Sequence, residues 1–373
     1  MATKYKFLPS PATGVLTDED TKKYFSRLGF AVFAFALSIN LASVLIQYAH
    51  LFVVNTFFPD LMKNEIYSSI ASMMVSIICI YGIGLPVFML VSRVLPRANP
   101  LKSSMSVGQF LGAFCITTAM TAAGNLVSNF ILIFFNSMLG SIPENPVEQM
   151  TSSTNIWVTI AFGVILVPFL EELFFRRIVC SKLLPLGEGY AVFVSAAIFG
   201  LIHGNFYQFA YAFLVGALFA FIYVKTGRLI YTTILHMIVN FLGMVVAPWL
   251  LNLINSIDES KLDAVINDLN NGVVVDEAVI MSLLTPMLIF MAYGLVTLIL
   301  EFVGIILLAR AVRTRKIVFD EGLIPPPKKH RFSNIFFSTG VTVAIAFFVV
   351  IFTLTLLEPI LIPMIQSAVG GAA

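Results

Sequence analysis

IWVTIAFGVILVPFL (156–170), EELFFRR (171–177) and IVCSKLL (178–184) follow one another without a break. The first and last are ordinary filling for a helix in lipid. The middle one sets two adjacent carboxylates inside that helix, with an arginine four residues after the second. A charged side chain at the centre of a membrane helix costs roughly 2.5–3.5 kcal/mol on insertion scales, so two side by side demand a polar interior to face. This stretch therefore predicts a bundle of membrane helices around a wet pocket.

The rest of the chain agrees. Of 373 residues, 59% are hydrophobic and 11% charged, against roughly 25% charged in an average soluble domain. A crossing needs about 20 mostly apolar residues. Nine runs qualify or nearly do, at 28–57, 67–93, 107–139, 156–175, 190–203, 206–224, 229–251, 278–309 and 333–357, the fifth being short. The predicted fold is an all-α, polytopic membrane helix bundle of about eight to nine transmembrane helices with a polar active-site cavity inside the membrane.

Basic residues test the count. Of the 22 Lys and Arg, 20 fall in alternate segments, and the intervening ones hold two, Lys63 and Lys261. The positive-inside rule puts the N-terminus and the loops near 100, 182, 227 and 310–332 in the cytoplasm, and the C-terminus outside. No cleavable leader is expected, and the pattern suits a multi-pass protein of a bacterial plasma membrane. Cys79, Cys115 and Cys180 read as apolar filler. No nucleic-acid partner is expected.

The expected organisation is a cytoplasmic tail (1–26), three spans (27–150), a core of four spans (151–250), an outer loop (251–277) and two closing spans joined by a basic loop (278–373). In the outer loop, KLDAVINDL puts Leu262, Val265, Ile266 and Leu269 on one stripe, a short amphipathic helix.

The core holds the polar groups. Glu172 and Arg176 stand at i and i+4, the spacing of a helical ion pair, while Glu171 points about 100° away. One carboxylate is thus held and the other left available. Span 156–175 would put Arg176 at the helix end. FGLIH (199–203) places Phe199 and His203 on one face, and HMIVN (236–240) does the same for His236 and Asn240. By helical rise Glu171 and His236 match in depth, but His203 stands higher. A shared site then requires the fifth run to tilt or start low, with the Gly204-Asn205 turn buried in the bundle. Glu301, in the eighth run, is expected to bond a neighbouring helix or face the cavity.

These motifs resemble the CAAX-protease and bacteriocin-processing (Abi) family of intramembrane proteases. EELFFR is similar to its EExxxR, FGLIH to its FxxxH and HMIVN to its HxxxN, in the family's order. The resemblance covers about residues 155–245. It implies a membrane-embedded endopeptidase whose active site is Glu171, Glu172, Arg176, His203, His236 and Asn240, acting on a membrane-associated peptide or lipidated protein. Glu171 is the expected base, with His203 holding the water and His236 and Asn240 facing the oxyanion. A competing version makes Glu171, His203 and His236 ligands of a zinc ion, and the spacing does not choose between them. The other functional readings are a catalytically silent immunity or scaffold protein and a proton-coupled transporter. The sequence fixes no oligomeric state.

Overall fold

The computed structural model describes residues 15–370. The first fourteen residues of the expected cytoplasmic tail, and residues 371–373 at the expected outer end, lie outside that range. The chain forms helices α1 (Asp18–Phe57), α2 (Glu65–Val94), α3 (Val107–Leu139), α4 (Pro146–Ser153), α5 (Ile156–Leu186) and α6 (Glu188–Ile202). Then come α7 (Phe206–Thr226), α8 (Leu229–Asn255), α9 (Glu259–Asn270), α10 (Glu277–Arg313), α11 (Arg331–Phe336) and α12 (Thr339–Gly370). Among the described residues the β content is a single bridge, Gly187 to Glu321.

Eight of these helices are long and apolar enough to cross a membrane, within the expected eight to nine. The fifth apolar run is α6, whose 15 residues reach only about 22 Å, short of a 30 Å hydrocarbon core. It still turns the chain around. Gly204 adopts φ 67°, a left-handed conformation that glycine takes without strain. Asn205, 5% exposed, then caps α7 by accepting from the Gln208 N–H.

The basic segments gather at one end of the bundle. There the Leu16 N–H donates to Pro325 O, Ala98 to Ser181 O, Ser103 to Thr226 O and Glu188 to Asp320 O. Lys225 pairs with Glu188 and Asp320. The basic loop after α10 is built into this end: Ile324 is buried and Phe319 packs on Phe193 and Phe221. Lys182, read as a loop charge, is 1% exposed and donates to Ser92 O at 2.7 Å. At the other end stands α9, which buries Val265 and leaves Ile266 and Leu269 of the same stripe exposed.

The core runs through α1, α5, α6, α7 and α12. Small residues let the helices close up. A Cβ on Gly304 of α10 would stand 2.0 Å from Cys115 O of α3, and one on Gly124 of α3 would meet the Tyr211 backbone of α7 at 2.2 Å. Glycine is the only residue those crossings admit. The two phenylalanines of EELFFRR join the core, with Phe174 stacked on Phe35 at 4.8 Å and Phe175 edge-on to Phe199 at 4.8 Å. The three free cysteines form no disulfide, and Cys79 and Cys180 are buried, as apolar filler would be.

Candidate active site

α5 does not stop at residue 175. It runs to Leu186, so Arg176 stands ten residues inside the helix and is 0% exposed, which corrects its placement at the helix end. Hydropathy cannot register a guanidinium whose three nitrogens each find an acceptor inside the protein. Here Nε donates to Glu172 Oε2 at 2.9 Å, Nη2 to Oε1 at 3.4 Å and Nη1 to Ser195 Oγ at 3.2 Å. The cation also lies 5.3 Å from the centre of the Phe199 ring.

Glu172 is likewise 0% exposed and binds a second group, His236 Nδ1 at 3.1 Å. A carboxylate bound to arginine accepts hydrogen bonds, so Nδ1 carries the proton and Nε2 is the free face of that ring. It looks toward Glu171, whose Oε2 stands 3.5 Å away and whose side chain keeps 22% of its surface exposed. The two adjacent glutamates are thereby separated. Glu172 is sealed into the frame, and Glu171 opens into the cavity.

That cavity, of about 780 Å³, is lined by Glu171, His203, His236 and Asn240 together. His203 therefore shares the site. The helical-rise estimate for Glu171 was short because α5 continues past 175, while α6 ends inside the bundle at the level that His203 needs. His203 Nδ1 lies 2.8 Å from Phe199 O. A carbonyl only accepts, so Nδ1–H is the donor and a neutral ring turns its Nε2 lone pair to the cavity. The Phe199 ring sits between the histidines, 5.1 Å from His203 and 5.8 Å from His236.

Asn240 Nδ2 donates to Gly163 O at 2.9 Å. The reason lies in α5, which winds in wide i→i+5 turns over Thr159–Leu166, so that Val167 N–H reaches Phe162 O. The next residue, Pro168, has no N–H to offer the Gly163 carbonyl. Asn240 supplies the missing donor and keeps one N–H for the cavity.

Glu171, His203 and His236 were expected as possible zinc ligands. Each histidine has Nδ1 engaged and Nε2 turned inward, a habit of metal ligands. Among the described residues no group of three or more His, Cys, Asp or Glu is arranged to hold a metal ion. Sequence reasoning also missed Ser195. It sits at i−4 from Phe199 and i−8 from His203, so the stripe that marked the histidine marked the serine as well.

Fold and site together define an all-α polytopic membrane protein with a buried glutamate–arginine–histidine frame and one carboxylate open to an intramembrane cavity. The family model for the type II CAAX prenyl endopeptidase Rce1-like group matches residues 153–242, the segment that holds all six motif residues. The chain is 32% identical over 141 residues to the membrane-embedded CAAX protease MroQ of Staphylococcus aureus (strain USA300), which covers 33% of this chain and 56% of that protein. It is 32% identical over 100 residues to human CAAX prenyl protease 2, covering 21% of this chain and 30% of the relative. The chain thus spans about half and under a third of those proteins. For this segment the matches bear out the CAAX-protease resemblance read from the three motifs. No solved structure matches the chain.

Proposed function

We propose that the protein is an intramembrane endopeptidase that cleaves a membrane-associated peptide or lipidated protein from within a bacterial plasma membrane, with its basic end in the cytoplasm. The observation that carries this reading is the division of labour between the glutamates, one sealed by arginine and one open beside two histidines. A transporter needs no such asymmetry, whereas a hydrolase needs one free base held in fixed geometry.

In the proposed reaction a water lies between Glu171 and the Nε2 lone pair of His203. Glu171 takes its proton as the oxygen attacks the peptide carbonyl, forming the new C–O bond. The proton passes to His236 Nε2, and the ring becomes a cation held by Glu172. His236 Nε2–H and the remaining Asn240 N–H then face the oxyanion. On collapse the C–N bond breaks and His236 returns the proton to the leaving amine, which leaves an acid and an amine. Support for this scheme is that Glu171, His203, His236 and Asn240 line one cavity, as preorganised catalysis requires.

Glu171→Gln and His203→Ala are expected to lower cleavage of a membrane-anchored reporter peptide by at least about 100-fold. Glu171 is partly exposed, so its variant should insert and melt like the parent. Normal cleavage by both variants would overturn the reading, and a parent that cleaves nothing would favour a silent immunity or scaffold protein. Metal content of the active, detergent-purified protein separates the zinc-assisted version. Near-stoichiometric zinc, lost in His203→Ala/His236→Ala, would assign Glu171, His203 and His236 as its ligands.

A further inference from the structure

The cavity extends well beyond the six motif residues, to a wall made by α3 and α10. α10 lies outside the segment that matches the protease family. Its contribution is Tyr293, Thr297 and Glu301, at i, i+4 and i+8, so one face of the helix lines the cavity over about 12 Å. The close crossing of Gly304 at Cys115 fixes the antiparallel register and brings Glu301 to the level of Thr118. Glu301 is half-buried, and among the described residues it has no ion-pair partner.

Two further observations say what this wall lacks. Among the described residues no lysine or arginine lines the cavity. Arg176, the nearest guanidinium to the site, is closed off by Glu172 and Ser195. On α3, Ser128 is 2% exposed and lines the cavity, yet among the described residues its hydroxyl has no hydrogen-bond partner. Asn125 and Asn129 line it on neighbouring turns. Burying a hydroxyl without a partner is unfavourable, and a bound polar chain would relieve it.

Resting on the endopeptidase reading, we propose that the cavity takes an extended peptide segment bearing a basic side chain, with Glu301 as its counter-charge and Ser128, Asn125 and Asn129 bonding its backbone. A substrate whose free C-terminal carboxylate entered this cavity would find no cation to receive it. A lysine or arginine finds a carboxylate in a partly desolvated wall, where opposite charges discriminate strongly. Glu301 is thus a specificity residue.

The test uses the full-length protein in nanodiscs and a synthetic peptide mixture with one apolar anchor and randomised flanking positions. Mass spectrometry reads which residues flank the cleaved bonds. The parent should enrich Lys or Arg at one fixed position by roughly five- to tenfold. Glu301→Gln should abolish that preference, and Glu301→Lys should turn it toward Asp or Glu. A variant that is merely damaged would slow all peptides alike without reversing the preference, and that outcome overturns the proposal. So does a parent that cleaves without basic preference, or a Glu301→Gln protein that keeps it. No cleavage by the parent, with Glu171→Ala equally silent, defeats the endopeptidase reading itself and is distinct from those results.

Discussion

Arg176 is the residue on which the site turns. Fully buried with Glu172, it belongs to a pair whose mutual attraction is offset by the cost of taking both ions out of water. Such a pair adds little net stability, but either member alone is an uncompensated charge. Arg176→Met is expected to cost about 3–5 kcal/mol and to lower the melting temperature in detergent. Glu172→Leu/Arg176→Met should recover much of that loss while remaining inactive, because His236 has lost its anchor. If the single and double variants melt alike, the two side chains are not energetically coupled. The pairing was legible in EELFFRR at i and i+4. Its burial was not, because depth depends on where α5 ends, and that is set by the Lys182 and Tyr24 contacts with distant helices.

At the scale of elements, the prolines and the short helix do most to shape the site. Wide turns occur at Ile78–Gly84, Thr159–Leu166 and Leu242–Val246, each just before Pro86, Pro168 or Pro248. A proline ring crowds the carbonyl four residues back, and the widened turn makes room for it. A fourth, Leu173–Cys180, has no proline and carries Arg176, in keeping with the placing of such turns at functional sites. The α6–α7 hairpin depends on Asn205, which donates to His203 O at 2.7 Å while capping α7. Asn205→Ala is expected to cost about 1–2 kcal/mol in thermal stability. It should also slow cleavage by loosening His203, whereas unchanged melting and activity would show the turn to be held by other means.

On the scale of the whole molecule, the basic end is tied together by the loop after α10, and the opposite end carries α9. In the proposed orientation Lys328 would face the cytoplasm and Lys261 the outside, and both side chains are well exposed. A membrane-impermeant maleimide applied to intact cells is expected to label Lys261→Cys, and to label Lys328→Cys only after permeabilisation. The opposite pattern would invert the orientation. Neither residue lines the cavity, so activity should survive in either variant.

Composition and charge alternation by themselves determined a helical membrane bundle and which loops share an end, because the cost of burying charge in lipid is paid locally, residue by residue. The six polar residues and the i, i+4 pairing within each motif were also legible, since helix periodicity is local. Only the tertiary structure decided that α6 falls short of a full crossing, and that Glu172 is sealed while Glu171 is open. It alone showed that Asn240 serves the carbonyl left free by Pro168, and that Glu301 looks into the same cavity. Those outcomes depend on how close separate helices approach and in what register, which glycine crossings and buried hydrogen bonds fix between residues far apart in the chain.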